Sequence, residues 1–169
     1  PTTARETRQA AERAQRERAE AVRAFLVGVF AQANPDENRG QPFTAQQLLE
    51  KGEKALPRPG EASAATRADL QAVIGDLYWS IGDFARAEPL LQHAVATSTD
   101  PDIPVDVKAR ALIGLANMEA EKRAFDDALL HLDLAHAFAL SVGAGGNKLA
   151  ADARRQRADV LVRRGDFDD

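Results

Sequence analysis

Apolar residues follow a helical spacing along most of the chain, but their size changes from one region to the next. In residues 1–20 the apolar positions are alanines such as Ala11 and Ala14, surrounded by arginine and glutamate. From Ala21 the stripe continues with larger side chains, at Val22, Phe25, Leu26, Val29 and Phe30. Such a stripe is typical of an amphipathic helix. The pattern predicts one long helix over residues 3–33. Residues 1–20, which include the first part of this helix, are predicted to form a charged, solvated stalk.

A second helix is predicted to begin after a segment rich in turn-forming residues, residues 34–42. Thr44 is a suitable N-cap, and Gln47 stands three residues later, as in a capping box. The apolar positions of this helix are Leu48, Leu49 and Leu56. Residues 21–62 are therefore predicted to form an irregular first helix pair and its connector.

The rest of the chain contains an internal repeat that is marked by phenylalanine. Three phenylalanines each follow the end of a predicted helix, at spacings of 41 and 42 residues. They are Phe84, Phe125 and Phe167. Self-similarity at a fixed period of this size indicates helix pairs that stack on one another. The period predicts repeats over residues 63–104 and 105–146, and the first helix of a truncated repeat over residues 147–169.

The first of these units resembles a tetratricopeptide repeat (TPR). The resemblance is carried by Ile74-Gly75-Asp76-Leu77-Tyr78, Gly82-Asp83-Phe84, Ala87, Leu91 and Ala94. In this pattern Gly75 and Ala87 are small where two helices cross, and Tyr78 and Phe84 fill the adjacent space. Gly82 gives the turn its conformational freedom. The resemblance implies an all-α fold: a TPR-like right-handed superhelix of antiparallel helix pairs, about seven helices in all, with a long N-terminal helix.

The later units match the TPR pattern less closely. In the second unit Arg123 stands in place of the turn glycine, and Glu119 stands in place of the tyrosine. The third unit supplies Ala158, Leu161, Gly165 and Phe167 but no second helix. Without that helix, we expect Val160 and Leu161 to be exposed. The chain also begins at Pro1 without a methionine, so we expect a fragment of a longer protein.

A second resemblance concerns the region before the repeats. Arg18 to Phe30, followed by Pro35, Arg39-Gly40, Thr44-Ala45 and Leu48-Leu49, looks like the segment that precedes the TPR array in bacterial membrane-anchored serine/threonine kinases. No kinase motif occurs in this sequence. The resemblance implies a non-catalytic part of a signalling receptor on the periplasmic side, whose only link to the membrane is a span absent from this fragment. The alternative is the TPR part of a cytoplasmic transcriptional regulator.

Composition and charge narrow the function classes. The chain has no cysteine, which excludes disulfides and thiol catalysis, and its aromatic content of 5% suits close helix packing through alanine. A formal net charge of −4 disfavours nucleic-acid binding, which needs a basic surface. The longest apolar run, Ala24 to Ala31, is too short to cross a bilayer.

The candidate catalytic and metal-binding residues favour structural roles. Asp100, Asp102 and Asp106 lack the glycine and glutamate of a calcium loop, so we interpret them as loop and cap residues. His131 and His136 are five residues apart and cannot face one metal from one side of a helix. Other acidic residues stand at predicted helix starts, where carboxylates interact favourably with the positive end of the helix dipole. They are Asp126, Asp127, Asp166, Asp168 and Asp169. We therefore expect no enzyme activity, cofactor or metal.

The first helix of each unit is expected to line the concave surface of the superhelix. Projecting the repeat register onto these helices predicts a groove formed by Asp69, Asp76, Trp79, Arg110, Asn117, Glu121, Arg155 and Asp159. An exposed Trp79 beside Asp76 would be a typical binding hot spot, although Trp79 could instead pack on the helix that contains Leu48 and Leu49. The expected ligand is a protein or peptide of mixed charge. A structural assembly module, a homodimer through the helix over residues 3–33, is the competing interpretation.

Overall fold

The computed structural model describes the chain except for residues 1, 32, 34 and 166–169, and the described part is helical. It contains seven α-helices and no β-strand, so the all-α fold class predicted from the sequence is confirmed. The α-helices are α1 Thr2–Ala31, α2 Ala45–Lys54, α3 Ala64–Ser80, α4 Phe84–Ser98, α5 Val105–Glu121, α6 Phe125–Ser141 and α7 Asn147–Arg164. Short 3-10 helices cover Pro35–Asn38 and Gly143–Gly146. None of the described helices is both long and apolar enough to cross a membrane.

The chain forms two compact units, the first of which covers Pro1–Ala55 and contains α1 and α2. The predicted capping box begins α2: the Gln47 backbone N–H donates to Thr44 Oγ1 at 3.2 Å, and the Thr44 N–H donates to Gln47 Oε1 at 2.9 Å. Arg18 of α1 is only 7% exposed, whereas the residues on both sides of it, from Thr3 to Glu17 and from Ala19 to Ala21, are exposed. Arg18 is therefore a buried exception within the segment that the sequence predicts to be a charged stalk, residues 1–20.

The second unit covers Leu56–Asp169 and contains the five helices of the repeat region. Each helix packs against the next along the chain, and α5 also packs against both α3 and α7. Residues 81–83 and 122–124 are the only residues between the members of the pairs α3–α4 and α5–α6. Alanine dominates the core, with Ala87, Ala94, Ala128 and Ala135 each fully buried. Small side chains of this kind let helix axes approach closely.

Leu91 of α4 lies between two glycines that belong to different first helices. A Cβ atom placed on Gly75 of α3 would lie 2.7 Å from Leu91 Cγ, and one placed on Gly114 of α5 would lie 2.6 Å from Leu91 Cδ2. Both distances are far shorter than a van der Waals contact. The predicted requirement for a small residue at Gly75 is therefore confirmed, and Gly114 lies equally close to the same side chain.

The aromatic residues of the repeat do not all fill the helix crossing. Tyr78 is fully buried, as expected, but Phe84 is 41% exposed. The prediction that Phe84 fills this space is wrong, because Phe84 is the first residue of α4 and remains partly open to solvent. Phe125, at the same place in α6, is half-buried against the core. Phe167 lies outside the described residues.

The turn inside each repeat uses a left-handed backbone conformation. Gly82 has φ 81°, and Arg123 and Gly165 have φ 63° and 90° at positions 41 and 83 residues further on. Glycine adopts this conformation without steric cost, whereas a residue with a Cβ atom loses roughly 1 kcal/mol or more. The departure from the TPR pattern at Arg123 therefore keeps the turn geometry and introduces strain.

We expect Arg123→Gly to raise the free energy of unfolding by roughly 0.5–1 kcal/mol, because relief of the strained φ outweighs the added freedom of the unfolded chain. Thermal or urea unfolding measures the change. Arg123→Ala is the matched control: it removes the arginine side chain, including its position 5.4 Å from the Phe125 ring, but keeps the strained φ. Equal stability of the two variants would show that the backbone conformation carries no cost.

The end of the second unit differs from the sequence expectation. Val160 is 2% exposed, so the prediction of its exposure is wrong, and Leu161 is half-buried. The rotation of α7 about its own axis turns Val160 toward the core cluster shared with α5 and α6. Val162 is 57% exposed instead.

Candidate functional site

The residues predicted to line a groove lie on three helices that are neighbours in the second unit. We call this set the charged face. Its members are Asp69, Asp76 and Trp79 on α3, Arg110, Asn117 and Glu121 on α5, and Arg155 and Asp159 on α7. Because α5 packs on both α3 and α7, residues from the three helices can contact each other across the two helix boundaries.

Asp69 and Arg110 form a hydrogen-bonded ion pair between α3 and α5. Asp69 is only 2% exposed, so it does not line an open groove as the sequence suggested. The Arg110 side chain keeps 34% of its surface exposed. A carboxylate this deeply buried is stable when a cation and hydrogen bonds compensate for its lost hydration. Asp69 therefore holds Arg110 in place.

Asp76 is the second α3 carboxylate near Arg110, two helical turns after Asp69. Its Oδ1 atom is buried without a hydrogen-bond partner among the described residues, and lies 2.8 Å from where a Cβ atom on Gly114 would be. Burial raises the pKa of Asp76 to about 7, while the positive charge of Arg110 acts to lower it. Gly114 therefore provides the space for a carboxyl group that changes protonation near neutral pH.

Trp79 is half-buried, and its Nε1 atom is shielded from solvent without a hydrogen-bond acceptor among the described residues. A tryptophan that presented its indole as a fully open hot spot would expose this N–H group. The structure therefore leaves only part of the Trp79 ring surface for contact with a ligand.

Glu121 and Arg163 form a second ion pair, between α5 and α7, with an N–O distance of 3.1 Å. The two residues are 42 positions apart, and Asp69 and Arg110 are 41 apart, so each pair joins neighbouring repeats at one repeat length. Neither pair was predicted from the sequence, although opposite charges separated by one repeat period are a signal that it contains. Both pairs connect consecutive first helices.

The remaining members of the charged face differ in their exposure. Asn117 is half-buried, and Asp159 is exposed. The Arg155 side chain is 72% exposed and lies 3.9 Å from Asp152 on its own helix. Arg155 and Asp159 are therefore the exposed members of the predicted groove, and Asn117 is partly accessible in the same way as Arg110 and Trp79.

The histidines of α6 contact different helices. His131 Nδ1 lies 2.7 Å from Glu119 Oε2 of α5, whereas His136 Nδ1 lies 3.2 Å from the Ala150 carbonyl oxygen of α7. The pKa of Glu119 is raised above its ordinary value, and burial is the largest cause. The hydrogen bond and the charge of His131 act to lower this pKa, and the charge of Asp127 acts to raise it. Glu119 replaces the repeat's tyrosine, so a polar pair takes the place of an aromatic contact. Among the described residues, no three histidines or acids are grouped so that they could hold a metal ion.

The acidic loop and cap residues contact the protein itself. The Asp102 backbone N–H donates to Asp100 Oδ1 at 2.9 Å, and Asp106 lies in the first turn of α5. Asp126 and Asp127 lie in the first turn of α6, as predicted. Asp166, Asp168 and Asp169 lie outside the described residues.

Comparison with known proteins does not assign this chain to a class. The chain matches no family model, no curated protein sequence and no solved structure.

Proposed function

We propose that this chain is a non-catalytic TPR-type module that binds a protein or peptide along the first helices of its repeats. Its second unit stacks as a TPR-like right-handed superhelix of helix pairs, and the chain belongs to a larger bacterial signalling protein such as a receptor serine/threonine kinase. On this proposal the module faces the periplasm. Repeat arrays of this kind use an extended surface, rather than a catalytic cleft, to recognise partners.

The recurrence of ion pairs at one repeat length is the observation that carries the proposal. Asp69–Arg110 and Glu121–Arg163 join equivalent helices in successive repeats, which supports a regular stack of α3, α5 and α7. A regular stack presents corresponding positions in a row. Asn117 and Asp159 are such positions, 42 residues apart on α5 and α7, and both reach the surface.

The chemistry of Asn117, Asp159 and the nearby Arg155 favours a ligand that carries hydrogen-bonding groups and charges of both signs. Asn117 can donate and accept hydrogen bonds, Arg155 offers a mostly exposed guanidinium, and Asp159 offers an exposed carboxylate. An extended peptide supplies backbone donors and acceptors together with charged side chains, which suits such a surface better than an apolar small molecule does.

A displayed library of short random peptides, selected on the immobilised chain, tests the proposal. We expect the selected peptides to bind at least about tenfold more weakly to Asn117→Ala and Asp159→Arg, since hot-spot losses are of this size or larger. His93→Ala, an exposed residue of α4, is the control and should change affinity less than twofold. Failure to select any peptide, or equal binding to all variants, would refute the groove.

An assembly module is the second candidate function, and one observation on α1 favours it. Val27 and Phe30 of α1 are 59% and 56% exposed, which is a large exposure for apolar side chains on one helix. A second copy could cover them. Sedimentation over a range of concentrations separates the candidates: a monomer at all concentrations removes the assembly function, whereas a dimer dispersed by Phe30→Glu supports it.

A further inference from the structure

The carboxyl group of Asp76 lies where α3 packs against α4 and α5. A Cβ atom on Gly114 of α5 would be 2.8 Å from Asp76 Oδ1 and 2.6 Å from Cδ2 of Leu91 in α4. Asp76 Oδ1 therefore has helix backbone and an apolar side chain as neighbours, and it has no hydrogen-bond partner among the described residues. An ionised carboxylate in these surroundings loses hydration that the protein does not replace.

Arg110 of α5 is the charged group that acts on Asp76 among the described residues, and it already has a partner. Its positive charge acts to lower the pKa of Asp76, but its guanidinium is hydrogen-bonded to Asp69. The charges of Asp69 and Arg110 cancel. This part of the charged face is therefore neutral when Asp76 is protonated and carries one negative charge when Asp76 is ionised.

Other charged side chains of the two helices packed against α3 have partners of their own or face solvent. His93 of α4 is exposed. The paired side chains are Arg86 with Asp83, Glu88 with Lys122, Glu119 with His131, and Glu121 with Arg163. Protonation of Asp76 is therefore the event that changes the charge beside Arg110.

Asp76 continues the row of positions that the proposed function assigns to the ligand. It lies 41 residues before Asn117, and Asp159 lies 42 residues after Asn117, so the three residues occupy the same place in successive first helices. Asp76 is half-buried, so part of the residue remains accessible. A ligand that lies along this row passes Asp76 and responds to its charge.

We infer that Asp76 is a proton-controlled charge in the ligand row, through which the module binds a peptide with a basic side chain more tightly when Asp76 is ionised. This inference rests on the proposed function, because it concerns the same surface. The basic side chain of the peptide supplies a counter-charge for Asp76, which Arg110 provides only in part because it is bonded to Asp69. Acidification removes the charge of Asp76, and the module then releases the peptide.

The size of the effect follows from the ionised fraction of Asp76. Burial raises the pKa of Asp76 to about 7, so about one tenth of the free chain carries this charge at pH 6 and about nine tenths at pH 8. When this fraction alone binds the basic peptide, the dissociation constant falls about tenfold between the two pH values. Binding at pH 6 then releases most of one proton, which calorimetry in two buffers of different ionisation enthalpy counts.

Two parallel selections from one displayed peptide library, at pH 6 and at pH 8, test this inference. We expect the peptides selected at pH 8 to be richer in lysine and arginine. In anisotropy titrations one such peptide should bind the wild-type chain about tenfold more tightly at pH 8 than at pH 6. Asp76→Asn should reduce this difference to less than about twofold, and so should glutamine in place of the basic residue of the peptide.

Histidine side chains ordinarily titrate in the same pH range, so they need a control. Asp76→Asn retains all three histidines, and any pH dependence that they cause remains in this variant. His93→Ala is the second control and should keep the full change in affinity. An equal pH dependence in wild type and Asp76→Asn would overturn this inference and leave the proposed function intact. Failure to select any peptide at either pH would refute both.

Discussion

Leu91→Ala is expected to lower the free energy of unfolding by about 3 kcal/mol, within the range found for buried leucines. Leu91 is fully buried and approaches the backbone of two helices, at Gly75 and Gly114. The cavity left by its side chain would lie where three helices meet, and the backbones of α3 and α5 at Gly75 and Gly114 restrict its collapse. Urea unfolding monitored by circular dichroism measures the loss.

A double-mutant cycle with Gly75→Ala makes this prediction specific. In the wild-type background the new methyl group would overlap Leu91, so Gly75→Ala should destabilise by roughly 1–3 kcal/mol. In the Leu91→Ala background the same methyl group enters the cavity, and alanine also favours the helix over glycine. The change should then be near zero or stabilising. Leu130→Ala, at an exposed position, is the control and should cost less than about 0.5 kcal/mol.

Equal effects of Gly75→Ala in both backgrounds would contradict this arrangement, since uncoupled residues give additive changes. In that case Leu91 would not lie over Gly75, and the helix crossing on which the repeat comparison depends would be incorrect.

Asp76→Asn is expected to stabilise the protein above pH 7 but not at pH 4. Burial raises the pKa of Asp76 to about 7 from an ordinary value of 3.8. Below pH 3.8 both the folded and the unfolded state carry the proton. Between pH 3.8 and 7 the unfolded state releases it while the folded state retains it, so stability falls as the pH rises through this window. Above pH 7 the loss is complete and constant.

The size of this effect follows from the same difference in pKa. Asparagine has a similar shape and no charge, so the stability of Asp76→Asn relative to wild type should rise by roughly 2–4 kcal/mol between pH 4 and pH 8. Unfolding curves of both proteins across this range measure the difference. Asp159→Asn, which removes an exposed carboxylate of α7, serves as the matched control. Parallel curves for wild type and Asp76→Asn would contradict the burial of the charge.

The helices and their ends could be predicted largely from the sequence, because they depend on local interactions. The capping box at Thr44 and Gln47 forms as expected, and the left-handed turn at Gly82 recurs at Arg123. These features arise from backbone hydrogen bonds and φ angles within a few residues. The period of 41 and 42 residues likewise indicated equivalent positions, and the structure pairs charged residues at these spacings.

The candidate site was predicted less well, because exposure depends on how each helix is rotated against its neighbours. The sequence placed Asp69 on an open groove, but the structure buries it against Arg110. It placed Val160 in solvent, but the structure turns Val160 inward. In both cases the helix was located correctly, but contacts with other helices decide the burial: Arg110 of α5 pairs with Asp69, and Val160 joins a core cluster with residues of α5 and α6.

The sequence by itself determined that this chain is helical, where its helices begin and end, and at what interval its packing residues recur. Local propensity and spacing are sufficient for these features, since each involves residues close along the chain. Only the tertiary structure decided that Leu91 lies between Gly75 and Gly114, and that Asp76 is a buried carboxyl group with its pKa near 7. Such contacts join residues far apart in sequence, and small rotations of packed helices decide whether a side chain meets water, a charge or another helix.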